Sequence, residues 1–185
     1  MRKNLGAKPW IYPQPVFIIA AYGEDDVPNA MNAAWGGISE ESEISFCLSP
    51  EHKTVENILK KGFFTVSMGD AAHAVQCDYL GVVSGKDVPN KMEKSGFHTS
   101  KAPNVDAPLI NELPMALECR LLSYDPRSCR MVGEIVNVCV DESILTNGSI
   151  DPAKLRPISF DPVNRAYLVL GEKIGNAFKD GLSLK

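Results

Sequence analysis

Two long runs of alternating side chains near the middle of the chain constrain its fold most strongly. In Met115–Tyr124, every second residue from the first to Leu121 is apolar, which is the period of a strand with one buried face. Met131–Val140 alternates in the same way. The turn residues Asp125-Pro126-Arg127 between them have the length of a tight connection. These runs therefore predict two paired antiparallel strands.

Shorter segments, either alternating or continuously apolar, predict further strands over Pro15–Tyr22, Ala30–Trp35, Glu43–Leu48, Phe63–Met68, Ile158–Phe160 and Ala166–Leu170. Helices are few. One follows Ser49-Pro50 and ends at Gly62, a second covers Ala71–Leu80 between Asp70 and Gly81, and Asn90–Lys94 could add a single turn. Many short strands and few helices favour an antiparallel barrel or sandwich. No linker or repeat interrupts the pattern, so we expect one domain over residues 1–185.

Charge and composition exclude several classes of protein. A formal net charge of −4 argues against a nucleic-acid-binding protein. No run approaches the ~20 apolar residues that span a membrane, and the start of the chain lacks the apolar core of a signal peptide. The five cysteines are scattered without paired spacing, which is typical of a reducing compartment. We therefore expect a cytoplasmic protein that binds neither nucleic acid nor membrane.

The segment Asn29–Gly62 contains the most informative chemistry. Its first part, Asn29–Gly37, is small and polar apart from Trp35, so its backbone is open to a flat ligand. Farther on, polar side chains crowd the start of the predicted helix, at Ser49, His52, Lys53 and Thr54. A helix start has unpaired N–H groups and suits a phosphate. The residues alone also allow the simpler interpretation that these hydroxyls only cap the helix.

Several motifs occur in an order that resembles the flavin reductase-like family, and its flavoredoxin branch in particular. They are Asn-Ala-Met-Asn-Ala-Ala-Trp at 29–35, Ser-Pro-Glu-His-Lys-Thr at 49–54, Phe-Phe-Thr-Val-Ser at 63–67, Ser-Gly-Lys-Asp at 84–87, Gly-Glu-Ile-Val at 133–136 and the closing strand at 167–172. The resemblance covers most of the chain. It implies a mainly β fold, namely an FMN-binding split β-barrel that is antiparallel and Greek-key-like, with a few short peripheral helices.

The resemblance also implies where FMN would bind. The phosphate would contact Ser49, His52, Lys53 and Thr54, although the family often has an arginine where this chain has His52. A neutral imidazole would hold a phosphate less well. The flavin ring would contact Asn29, Met31, Asn32, Ala33, Ala34 and Trp35. The alternative for Trp35 is an ordinary core aromatic.

Three further residues are candidates with open alternatives. Lys91 matches a family lysine that would place positive charge beside the flavin ring or the phosphate, but a solvated surface lysine is the simpler interpretation. Arg130 lies where relatives often have a histidine, and it could instead pair with a carboxylate. Phe160 could cover the ring or belong to the core.

The resemblance implies an FMN-dependent oxidoreductase. It would pass electrons from NADH, NADPH or a protein donor through FMN to an acceptor. A homodimer and a redox protein partner are expected, and no metal site is. Two alternatives stay open, namely an FMN electron carrier without its own NAD(P)H turnover and a non-catalytic split barrel with an empty pocket.

Overall fold

The computed structural model describes residues 1–185 and contains thirteen strands, four α-helices and two short 3-10 helices, Glu142–Ile144 and Asp180–Leu184. The strands are β1 (Phe17–Tyr22), β2 (Pro28–Ala33), β3 (Gly36–Glu40), β4 (Glu43–Cys47), β5 (Phe63–Met68), β6 (Thr99–Lys101), β7 (Pro108–Ile110), β8 (Met115–Asp125), β9 (Arg130–Val140), β10 (Leu145–Thr146), β11 (Ser149–Ile150), β12 (Ile158–Asp161) and β13 (Ala166–Val169). The helices are α1 (Lys53–Lys61), α2 (Ala74–Val82), α3 (Lys91–Ser95) and α4 (Pro152–Leu155). None of these helices has the length and apolar character that a membrane crossing requires.

Seven strands form one antiparallel sheet in the order β2-β1-β5-β8-β9-β4-β3. Its two edge strands, β2 and β3, are consecutive in the chain and are joined only by Ala34 and Trp35. Because this link has only two residues, the end of β2 must lie close to the start of β3. The sheet therefore curls into a half-barrel. The β8–β9 hairpin separates β4 from β5, which is a Greek-key-like arrangement. The mainly β, antiparallel prediction is confirmed.

The core lies on both faces of this sheet. One cluster fills the inside of the curl and includes Ile19, Phe46 and Phe64, and α1 packs on it through Val55 and Ile58. A second cluster joins the opposite face of β1 to α2 and α3. The alternation predicted for β4 is confirmed, because Ile44 and Phe46 are both buried.

Helix ends follow the predicted signals only in part. Gly62 adopts a left-handed conformation with φ of 77°, and its N–H donates to the Ile58 oxygen, so it ends α1 as predicted. The prediction that Gly81 ends the next helix is wrong, since α2 continues to Val82. A Cβ at Gly81 would lie 3.1 Å from the Asn32 Cβ, so the glycine lets α2 pack closely on β2.

Several short elements were not predicted, namely β3, the hairpins β6–β7 and β10–β11, and α4. Gly36 and Gly37 begin β3 and pair with Phe46 and Ser45, although paired glycines usually end or bulge a strand. The β6–β7 hairpin lies between the second predicted helix and Met115, where the sequence pattern predicted no strand.

Candidate functional site

The start of α1 lies directly against β2. The side-chain amide of Asn29 donates a 2.7 Å hydrogen bond to the Thr54 hydroxyl oxygen. Both side chains are buried, and Thr54 is only 1% exposed. This bond joins the small-residue strand to the predicted phosphate-binding helix.

No side chain caps the first turn of α1. The N-cap residue is His52, whose side chain makes no capping hydrogen bond. The Ser49 hydroxyl accepts from the Glu51 N–H, and Thr54 is already inside the helix. The capping interpretation of these hydroxyls is therefore wrong for α1, and the first-turn N–H groups stay free for a ligand.

A cleft of about 190 Å³ opens beside this helix start. Its wall is completed by the segment from Leu80 to Gly85, which comprises the end of α2 and the residues that follow it. A Cβ at Gly85 would lie 2.2 Å from the Asn29 Oδ1, so only glycine allows this close approach. Seven of the predicted site residues line the cleft: Asn29, Met31, Asn32, His52, Lys53, Thr54 and Lys91.

Lys91 is a buried cation in the wall of this cleft. It is 3% exposed, and its Nζ donates to the Ala30 oxygen at 2.7 Å and the Leu80 oxygen at 2.8 Å. An ammonium group has three N–H donors, so one is left for a ligand. Burial lowers the pKa of Lys91 to about 8, so the group is mostly charged at pH 7. The solvated-surface interpretation of Lys91 is wrong.

Other nearby cations contribute less charge. Partial desolvation, followed by the charge of Lys91, lowers the pKa of His52 below 6.5, so the imidazole is mostly neutral at pH 7. Lys53 pairs with Glu56 at 3.1 Å, and Lys86 lies 3.8 Å from the same carboxylate. Lys91 is therefore the strongest positive charge in the cleft.

The residues present fit part of FMN. The free N–H groups of α1, the Thr54 hydroxyl and the Lys91 ammonium suit a phosphate. The cleft is smaller than the roughly 300–1,000 Å³ of a pocket that encloses a drug-sized ligand, so the rest of the molecule would extend beyond it. An adjoining cavity of about 140 Å³ is lined by Asn57, whose buried Oδ1 has no donor and could accept from a ribityl hydroxyl.

Three predicted residues line a different and larger cleft of about 770 Å³: Ala34, Trp35 and Arg130. Trp35 is 53% exposed, so its interpretation as a core aromatic is wrong. Arg130 makes no ion pair, which removes the carboxylate-pairing interpretation. This cleft begins where β2 ends, one residue after Ala33.

The remaining three candidates line neither cleft. Ala33 is buried in the inner core, and Ser49 lies in the turn before α1. Phe160 packs against the outer core and Tyr167, with ring centroids 6.2 Å apart. Phe160 is therefore part of the core, which was the alternative to its covering the flavin ring.

Sequence reasoning missed several residues of the clefts. Gly85 was noted as part of a motif but not as a wall of the site, and Asn57 was taken only as part of a helix. Gln14 and Trp10 line the larger cleft from the N-terminal segment. Of these residues, only Gly85 could have been identified from the sequence, because a glycine often marks a place where the backbone approaches another group closely.

Comparisons with known proteins agree with this architecture. The family model described as "Flavin reductase like domain" matches residues 10–155. The flavoredoxin of Desulfovibrio vulgaris (Miyazaki F) is 37% identical, with a TM-score of 0.93 over 98% of this chain and 100% of that one. Flavoredoxin from Methanosarcina acetivorans is 26% identical, with a TM-score of 0.90 over 100% of both chains.

A more distant structure shares the fold. The FMN-binding domain of a flavin reductases-like enzyme from Shewanella baltica OS155 is 20% identical, with a TM-score of 0.77 over 88% of this chain and 89% of that one. The split-barrel prediction is confirmed by these matches, and the half-barrel with its short helices is the fold that they share.

Proposed function

The chain belongs to the flavin reductase-like family, in its flavoredoxin branch, and from this premise we propose that it is an FMN-binding oxidoreductase. A flavin-based redox function is supported by the family and by the flavoredoxins that resemble the chain across its whole length. In the proposal, electrons enter bound FMN from NADH, NADPH or a protein donor and leave to an acceptor.

The uncapped start of α1 carries this proposal. Helix starts in proteins are usually capped by a side chain, and here the N-cap residue, His52, makes no capping hydrogen bond. The free N–H groups face a cleft that also contains a buried ammonium. Without a bound anion this combination lowers the stability of the fold, because the helix start and the buried ammonium both carry positive charge that no negative charge balances.

Each part of the cleft has a role in the proposal. Thr54 and the first turn of α1 would hold the phosphate, and the Lys91 ammonium would supply positive charge from the wall of the cleft. Asn29 would position the Thr54 hydroxyl, and Gly85 would let the second wall close on β2. When bound, FMN supplies one- and two-electron chemistry, while the protein supplies binding, orientation and charge.

A homodimer forms part of the proposal. Large apolar side chains of the sheet are exposed, among them Ile38 on β3 and Val136 and Val138 on β9, each at least 45% exposed. Edge strands and exposed apolar surface are commonly covered by a second copy. A redox protein partner would use the surface that remains.

The flavoredoxin likeness also favours a second candidate, an FMN electron carrier without its own NAD(P)H turnover. Steady-state oxidation of NADH and NADPH with excess free FMN separates the two candidates. Turnover that depends on the protein supports the reductase, and its absence with both nucleotides supports the carrier.

The visible spectrum of the purified protein tests the premise that both candidates share. After FMN is added and excess is removed by gel filtration, we expect a yellow protein with about one flavin per chain. A protein that stays colourless would overturn both candidates and support the non-catalytic alternative.

A further inference from the structure

Residues 171–185 form an arm that follows β13 and lies apart from the rest of the molecule. Every residue of the arm is exposed. No hydrogen bond or ion pair joins it to residues 1–170, because its hydrogen bonds connect residues 176–185 only to one another. The chain itself therefore provides no partner for this segment.

The arm nevertheless has a local structure of its own. It contains the 3-10 helix Asp180–Leu184. The Asp180 carboxylate accepts from the Asn176 backbone N–H at 2.7 Å, and the Asp180 N–H donates to the Asn176 oxygen at 3.1 Å. These two bonds fix a turn at the start of the 3-10 helix, so the arm presents its side chains from a shaped segment.

Large apolar side chains project from the arm into solvent. Ile174 and Phe178 are 101% and 104% exposed, and Leu182 and Leu184 are also exposed. Ile174, Phe178 and Leu182 recur at every fourth residue, with polar residues between them. This spacing is typical of an amphipathic segment whose apolar side lies on another apolar surface.

The sheet of the same chain has apolar side chains that nothing covers. Paired residues of an antiparallel sheet project to the same face. Ile38 pairs with Ile44, and Val138 pairs with Leu117, and both of these partners belong to the inner core. The apolar inner face therefore continues past the core to Ile38 and Val138, which are exposed.

We propose that two copies of the chain exchange their arms, so that the arm of each copy lies on the exposed inner-face side chains of the other. This inference rests on the proposed homodimer and adds to it a contact between the arm and the sheet. Two-fold symmetry closes the assembly, because each copy contributes one arm and receives one.

The arm has enough apolar surface for this role. Its four large side chains together offer roughly 500 Å². Their burial covers a similar area of the receiving sheet, and the second arm repeats the contact. The exchange would therefore bury roughly 2,000 Å² in total, which reaches the upper end of the roughly 1,200–2,000 Å² of stable interfaces.

The charges of the arm favour a second copy over a membrane surface. Its three lysines are mixed with two carboxylates, Glu172 and Asp180. Segments that bind a membrane surface usually have a polar face rich in lysine and arginine, and anionic lipids would repel the carboxylates. An apolar protein surface needs no basic face on the segment that it receives.

Photochemical cross-linking tests whether the arm crosses between copies. A benzophenone amino acid in place of Phe178 keeps an aromatic side chain at this position. Irradiation of the purified full-length protein should give a covalent product of twice the chain mass of 20.2 kDa, with the linked peptide from β3 or β9. A link within one chain, a link to another surface of the second copy, or no link would overturn the proposal.

Charge variants measure what the arm contributes to the dimer. Ile174→Asp combined with Phe178→Asp should raise the dimer dissociation constant at least about tenfold, because apolar contacts are lost and charges enter the interface. Lys173→Ser combined with Lys179→Ser is the matched control, since it changes the charge of the arm by the same amount and keeps its apolar side chains. Light scattering coupled to gel filtration over a series of concentrations compares the two variants.

The results separate the exchange from the other proposals. Aspartate variants as dimeric as the control would overturn the exchange and leave the homodimer without it. Sedimentation of the wild-type protein with phosphatidylcholine and phosphatidylserine vesicles, lost in the aspartate variants, would assign the arm to a membrane and also overturn the exchange. A protein that exchanges its arms but binds no FMN would refute only the proposed flavin function.

Discussion

At the scale of single residues, the candidate site depends on side chains whose environments differ from their usual ones. Thr54 is a buried hydroxyl inside a helix, and its oxygen accepts from Asn29. Its own proton is therefore free to donate to a ligand. Lys91 is a buried ammonium with one unused donor.

Replacing Thr54 with alanine should weaken FMN binding by about 1–3 kcal/mol, because a charge-assisted hydrogen bond to the phosphate is lost. Thr54→Ser keeps the hydroxyl and should restore most of the affinity. Quenching of flavin fluorescence during titration measures both. Unchanged affinity in the alanine variant would remove Thr54 from the site.

The buried position of Lys91 predicts a pH dependence. Its pKa is lowered to about 8, and a bound anion favours the protonated form. FMN affinity should therefore fall as pH rises through 8, by up to about tenfold between pH 7 and pH 9.

Lys91→Met keeps most of the side-chain volume and removes the charge. This variant should bind FMN more weakly at pH 7 and show no such fall above pH 8. If the wild-type protein gave the same affinity at pH 7 and pH 9, Lys91 would not act on the phosphate through its charge.

The sequence predicted these residues better than it predicted their surroundings. The lysine was identified through a family motif, but lysines are rarely buried, so its two carbonyl partners could not be foreseen. Trp35 was predicted beside a ligand or in the core, and its half-exposed position depends on the curl of the whole sheet. Neither the burial of Lys91 nor the exposure of Trp35 can be predicted from the residues next to them in the chain.

At the scale of elements, the cleft is made where three segments meet: β2, the start of α1 and the Ser84–Gly85 turn. The turn approaches β2 so closely that a side chain at Gly85 would collide with Asn29. The shape of the cleft therefore depends on a residue that contributes no polar side chain.

Gly85→Ala should push the turn away from β2 and lower FMN affinity by roughly tenfold, since overpacking costs about 1–3 kcal/mol. Gly171→Ala is a matched control, because nothing lies within 4 Å of its added Cβ. Isothermal titration with FMN compares the two. A Gly85→Ala protein that binds as tightly as the control would contradict the close-approach argument.

Strands with a clear apolar or alternating pattern were predicted nearly to the residue, as β5 and the β8–β9 hairpin show. The strand β3 was missed because paired glycines usually end a strand. The β6–β7 hairpin was missed because prolines surround it and its strands have only three residues each. Both pair with a strand that is their neighbour in the chain, but their own residues show no alternation that would predict a strand.

At the scale of the whole molecule, the curled sheet leaves apolar residues exposed, and the edge strand β3 carries Ile38, which is 66% exposed. A second copy packed on this surface would cover these side chains and the unpaired edge. The proposed dimer is therefore expected to bury Ile38.

Ile38→Asp should convert the dimer to a monomer, because it places a charge in an apolar interface. Val75→Asp is the control, since Val75 is 81% exposed on α2, away from β3. Light scattering coupled to gel filtration gives the mass of each. A wild-type protein of 20.2 kDa in solution would contradict the dimer outright.

The most direct test of the whole account compares the affinities of FMN and riboflavin, which differ only in the phosphate. If the start of α1 and Lys91 hold that phosphate, FMN should bind at least about a hundredfold more tightly, as expected for the loss of two or more charge-assisted hydrogen bonds. Equal affinity for the two flavins would contradict the account, because the cleft beside Thr54 would then have no part in binding.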